Sequence, residues 1–205
     1  LLDDSVQLRT WSRAAAARTL PFWSILVSFF LVLAAQTGVL LHQLSFLEDR
    51  FGSRQVASLT LTVTAFGSIV ARLVVGQFAD RLSKRDLSVA LFAIKAASVF
   101  CVVFIENTVV TWILVLVIGF TIGNVYMMQA LLVSETFGFT SFATVMGLIS
   151  VATQTGRGLG PFGVGWLEQQ TGSYNAPFEI TATITVAAAA LLLFARTPSA
   201  PPAQG

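Results

Sequence analysis

Six apolar runs, at about 22–46, 56–79, 87–105, 109–132, 142–167 and 176–195, divide the sequence between short charged or turn-rich gaps. A bilayer core about 30 Å thick takes about 20 residues of helix at about 1.5 Å rise each, so runs of this length predict membrane spans. Backbone groups inside lipid must be paired within the segment, which makes each span a helix and the chain an all-α membrane protein with six transmembrane helices. Composition agrees: 55% of the 205 residues are hydrophobic and 11% charged, where soluble domains carry roughly a quarter charged residues. No segment reads as a soluble domain.

Six spans place both ends of the bundle on one side, and basic residues decide which. Arg9, Arg13 and Arg18 precede the first span, Arg81, Lys84 and Arg85 follow the second, and Arg196 follows the last; the opposite gaps hold Arg50 and Arg54. Both termini are therefore expected to be cytoplasmic, in a plasma or inner membrane. Residues 5–20 carry arginines, Trp11 and small apolar residues, the pattern of a short helix on the inner membrane surface. The proline-rich tail, 197–205, reads as disordered. The sequence begins Leu1-Leu2-Asp3-Asp4, with neither an initiator methionine nor a signal-peptide order, and reads as part of a longer chain.

The net charge of +2 is too small to imply nucleic acid, and its bases sit in gaps rather than along one face. Cys101 is the single cysteine, so no internal disulfide exists, and no Cys/His metal spacing is present. No metal or other cofactor is expected. An intramembrane protease would need a serine with a histidine base, but His42 is the one histidine and there is no G-x-S-x-G. The chain is not expected to be an enzyme, and no catalytic residue is assigned.

The gap after the second span, GQFADRLSKR, concentrates charge in a tight turn. Asp80 there can accept backbone N–H bonds at a neighbouring helix N-terminus while Arg81, Lys84 and Arg85 hold the inner face and its anionic lipids. A plain positive-inside loop would need no such spacing. Gly76, Asp80, Arg81, Lys84 and Arg85 resemble the G-x-x-x-D-R-x-x-[KR]-[KR] signature of the major facilitator superfamily, which recurs in the loop between the second and third helices of each six-helix half. The resemblance implies one half of such a fold. With a basic segment before Pro21 resembling the central loop, it implies the C-terminal half, helices 7–12. On that reading 1–20 is a cytoplasmic central-loop segment, 21–196 the six-helix bundle, and the partner is an N-terminal six-helix half missing from this chain.

Three bases fall within spans: Arg72, Lys95 and Arg157. No carboxylate lies at comparable depth. An unpaired arginine in hydrocarbon costs at least about 2.5–3.5 kcal/mol on insertion scales, so each needs a partner, water or an escape to the interface. Arg157 lies more than about 15 Å along the helix from either end of its run and cannot snorkel out. Pro161, four residues on, has no N–H for the Arg157 carbonyl and is expected to open the helix there, a frequent form of a substrate site. A structural arginine facing the absent half is the other reading. Gly156, Gly158, Gly160, Gly163 and Gly165 read first as packing surface. Arg72 lies about 12 Å from the inner end, so both snorkelling and a site remain open. Lys95 reads as structural or snorkelling, and His42, nearer the outer end, as an interfacial or gate residue or a proton carrier. Gln36, Asn124, Tyr126, Thr153 and Gln154 are mid-span polar groups that complete a candidate cavity, each alone equally suited to interhelical hydrogen bonding.

SETFG, then FATVMGLISVATQTGRGLGPFGVGWLEQQTGSY, resembles helix eleven and its exit loop in monocarboxylate transporters and the oxalate/formate antiporter group, and TGVLLHQLSFLEDRFGS resembles that group's seventh helix. SIVARLVVG is similar to the eighth-helix stretch of monocarboxylate transporters whose arginine binds the substrate carboxylate, and Arg72 falls on it. Arg157 falls where the oxalate/formate antiporter has a substrate-binding lysine. Proton symporters of the group carry an aspartate one turn before the eighth-helix arginine, where this chain has Ser68. The resemblance implies secondary transport of a small carboxylate by alternating access, as exchange or with a compensating proton. A carrier of a drug or sugar, or a half that is inactive alone, is the alternative.

Overall fold

The computed structural model describes residues 11–79 and 81–195. They form eight helices: α1 Arg13–Ala17, α2 Leu20–Phe51, α3 Arg54–Ala79, α4 Lys84–Phe104, α5 Thr108–Ile122, α6 Val125–Phe137, α7 Phe139–Thr171 and α8 Asn175–Leu192. Leu20–Phe51, Arg54–Gln77, Lys84–Phe104, Thr108–Phe137 and Asn175–Leu192 are each long and apolar enough to cross a membrane. With 33 residues, α7 is about 50 Å long, more polar than those five, and it packs along α2. Helix ends follow local chemistry. Thr19 caps α2, Pro21 fits its first turn, and Gly52 ends it at φ 62°, a left-handed conformation open to glycine. Gly172 does the same for α7 at φ 67°.

Two features depart from the expected spans. The fourth run, continuous in hydropathy, is broken at Gly123–Asn124 into α5 and α6. Asn124 N–H bonds back to the Thr121 carbonyl, and its Nδ2 donates to the Phe120 carbonyl at 3.2 Å, so side chain and tightened turn compete with the regular ladder. The run around Pro161, expected to open, instead stays helical throughout α7. Trp11 also differs from a lipid-surface role: it is buried, edge-to-face with Phe137, and its backbone N–H donates to Ser141 Oγ at 2.7 Å.

Small residues bring backbones into contact. A Cβ on Gly160 would collide with the Ala34 carbonyl, and one on Gly156 would come 2.8 Å from the Phe30 carbonyl, which locks α7 onto α2. Gly119 of α5 and Gly123 just past its end meet Thr64 and Ser68 of α3 in the same way. The core is in two parts. One includes Phe29, Leu33, Phe92, Val125, Ile149 and Ala188. The other includes Val39, Val99, Ile118, Val164 and Ala182. Between them lie buried polar residues: Gln36 on α2, Lys95 on α4, Thr121 on α5, Asn124 at the α5–α6 break, Thr153 on α7 and Thr185 on α8. Two apolar ends thus enclose a polar layer at mid-depth.

Candidate functional site

The site is built on the contact of α2 with α7. Because Pro161 has no N–H, the Arg157 carbonyl lacks its usual intrahelical donor. Thr37 supplies one: its hydroxyl lies 3.0 Å from the Arg157 oxygen, while also within reach of the Leu33 and Ala34 carbonyls at 2.9 and 3.2 Å. One hydrogen is shared among three acceptors, and α7 keeps its course. Gly160 makes this approach possible.

The Arg157 side chain is held on two sides. Its Nη1 donates to Gln154 Oε1 at 3.1 Å, and its guanidinium carbon stands 5.1 Å from the centroid of the Tyr126 ring on α6. A cavity of about 450 Å³ opens beside it, with Thr37, Gln154 and Arg157 as polar walls and Leu40, Leu41 and Pro161 as apolar ones. The ion pairs among the described residues are Arg54 with Glu48, at 3.4 Å, and Arg85 with Asp86, at 3.0 Å. Arg157 is in neither. A guanidinium has five N–H donors in a planar fork, so most of its hydrogen-bonding capacity is uncommitted.

Arg72 rests at the break between α5 and α6, where its Nε donates to the Gly123 carbonyl at 3.2 Å. That carbonyl closes α5 and carries the negative end of its dipole. Tyr126 lies three residues further along the chain, so the break gathers contacts of both arginines, although Arg72 does not line the Arg157 cavity. Ser68, where the resembled symporters have an aspartate, packs its backbone and hydroxyl against Gly123.

Gln154 and Tyr126 both contact Arg157, and of the two Gln154 lines the cavity. Gln36 and Asn124 do not line the cavity. Gln36 is 4% exposed and accepts from Lys95 Nζ at 2.7 Å. Asn124 is fully buried, with its Oδ1 unpartnered. Lys95 is 1% exposed, so it does not snorkel. Further along α2, His42 Nε2 lies 3.1 Å from the Pro161 carbonyl and Nδ1 3.4 Å from the Tyr174 hydroxyl. A carbonyl oxygen can only accept, so a hydrogen bond in this contact puts the hydrogen on Nε2. The ring thus joins α2 to α7. Thr37 was missed by sequence reasoning, but the carbonyl freed by Pro161 was a signal that some donor had to face it.

In the charged turn, Ser83 caps α4, its Oγ accepting from Asp86 N–H at 3.3 Å, and Arg85 pairs with Asp86. Gly76 has open space where a Cβ would be, and Arg81 is exposed. Asp80 lies outside the described residues, as do residues 1–10 and the tail.

The sequence matches the Major Facilitator Superfamily over residues 22–205. The chain belongs to that superfamily. A similar solved structure is a variant of the E. coli fucose:proton symporter FucP, with a TM-score of 0.75 and 16% identity over 91% of this chain. At that identity the likeness shows the facilitator fold alone. This facilitator chain spans 46% of the symporter's length. Comparison with curated proteins returned no match.

Proposed function

We propose that the chain is the helix 7–12 half of a secondary carrier for small organic anions, of monocarboxylate or oxalate/formate type, working by alternating access with a second six-helix half. The observation that carries the reading is Arg157: a mid-depth guanidinium lining a cavity, braced by Gln154 and Tyr126, with no carboxylate paired to it among the described residues. A substrate carboxylate would take a bidentate pair of its free N–H groups, while Leu40 and Leu41 accept a short apolar remainder. Arg72 is the second cation, reaching the anion by leaving the Gly123 carbonyl as the halves close.

Burying an unpaired guanidinium in an occluded state is costly, so the anion lowers the barrier to reorientation. That favours exchange, or anion movement with a compensating proton. The turn with Gly76, Asp80, Arg81, Lys84 and Arg85 would steady one inside-closed arrangement from the cytoplasmic face of a plasma or inner membrane, with both termini on that side. Residues 1–20 would connect the two halves.

The test is uptake of labelled formate, oxalate, lactate and pyruvate into vesicles holding the complete carrier, with Arg157→Gln and Arg72→Gln alongside. Saturable uptake lost in both variants is expected. A carboxylate carried equally well without them, or a neutral sugar carried instead, overturns the reading.

A further inference from the structure

Lys95 is a buried titratable group that the anion site does not use. Its Nζ lies 2.7 Å from Gln36 Oε1 and is sealed between the two apolar cores. The surroundings are poor in charge. α4 packs against α8, α5 and α6, and reaches α2 through Gln36. On α8 the titratable group is Glu179, near the outer end; α5 has none. On α6, Tyr126 lies against Arg157, and Glu135 is exposed in the last turn. On α2, His42 is bonded to Pro161 and Tyr174, Glu48 pairs with Arg54, Asp49 is exposed and Arg50 binds carbonyls at the end of α4. On α4 itself, Lys84, Arg85 and Asp86 lie in the first turn, and Cys101 is two turns away. None of these forms a hydrogen bond or ion pair with Lys95.

We propose that Lys95 Nζ is a proton-binding site of the carrier, served in both protonation states by the Gln36 carboxamide. With the proton bound, the ammonium donates to Gln36 Oε1, the geometry seen here. When an opening of the bundle admits water and the proton passes to it, the electron pair remains on Nζ, and the same amide turned over offers Nε2–H to it. A carboxamide has a donor end and an acceptor end, so neither state leaves the pair without a hydrogen bond. A carboxylate in place of Gln36 would hold the ammonium as an ion pair and oppose release. Gln36 also adjoins Thr37, whose hydroxyl holds the Arg157 carbonyl at the cavity wall. Turning over the Gln36 amide is thereby connected, through one peptide unit of α2, to the wall of the anion cavity.

The test is nitrogen-15 NMR of Nζ-labelled lysine in the complete carrier in nanodiscs, followed across the pH range over which it stays folded. Lys95→Met, close in length and apolar, assigns the signal. The expected result is one Nζ signal, absent from Lys95→Met, that passes between ammonium and amine within that range, and whose step is abolished in Gln36→Glu. A Lys95 signal that stays ammonium or stays amine throughout overturns the proposal, as does a step unaffected by Gln36→Glu. This readout needs no substrate, so it stands or falls independently of the anion reading.

Discussion

Arg157 and Lys95 are both cations at mid-depth, and both are tied to α2 through consecutive residues. Thr37 reaches the Arg157 carbonyl on α7, and Gln36 reaches Lys95 Nζ on α4. One guanidinium nevertheless lines a cavity of about 450 Å³, while the ammonium is 1% exposed with a neutral amide for its partner. The difference shows that depth alone does not give a cation its role. A fork with uncommitted donors and open space beside it can recruit an anion. An ammonium packed among apolar side chains can exchange only something as small as a proton.

The largest effect separating the two sites is expected from Arg157→Gln, which removes the charge from the cavity wall. Hydrogen bonds to charged groups contribute about 1.5–3 kcal/mol, so carboxylate transport should fall about 10- to 150-fold. Lys95→Met should leave anion binding at equilibrium near its original affinity, and its thermal midpoint should not fall, since replacing a buried charge by an apolar residue of similar volume is often neutral or stabilising. Measuring both variants for labelled carboxylate binding and for thermal unfolding in detergent checks this. Equal loss of binding in the two would merge the sites into one.

Next in size is Gln36→Leu, which strands the ammonium instead of removing it. An uncompensated buried polar partner costs about 1–3 kcal/mol, more when charged, so the midpoint of thermal unfolding should drop by several degrees. In the double variant Gln36→Leu with Lys95→Met, most of that loss should return. No recovery would mean that Gln36 acts by packing and not as the ammonium's partner.

The spans and the charged turn were legible because hydropathy and charge are local along the chain. Arg157 was legible as well, since its distance from both span ends excludes snorkelling and Pro161 marks an unpaired carbonyl. The Gly123–Asn124 break was not, because one polar step leaves the long run apolar enough on average to read as a single span, and the cause is a side-chain bond from Asn124 to Phe120. Gln36 was assigned to the cavity for a related reason. Polarity shows that a mid-span side chain needs a partner, but which neighbour supplies it depends on how helices far apart in sequence are arranged. The residue that does face the cavity, Thr37, is one position away.

A smaller effect should follow Tyr126→Leu. The Arg157 guanidinium lies 5.1 Å from that ring, and a cation over an aromatic face contributes about 0.5–2 kcal/mol. Carboxylate affinity should fall about five-fold, with Tyr126→Phe nearly unchanged because the ring face is kept. If Tyr126→Phe falls as far as Tyr126→Leu, the hydroxyl and not the ring supports the site.

The smallest expected effect is also the sharpest test of the connection through α2. Thr37→Val keeps the side-chain shape but removes the hydroxyl that satisfies the Arg157 carbonyl, a neutral hydrogen bond contributing about 1 kcal/mol. Carboxylate affinity should fall two- to five-fold, roughly the same energy expressed at the cavity wall, and Thr37→Ser should restore it. The Lys95 signal should also respond in Thr37→Val, because the freed segment of α2 carries Gln36. If affinity drops while the Lys95 titration is untouched, adjacency on α2 does not transmit between the sites, and cavity and buried lysine work as separate devices within one bundle.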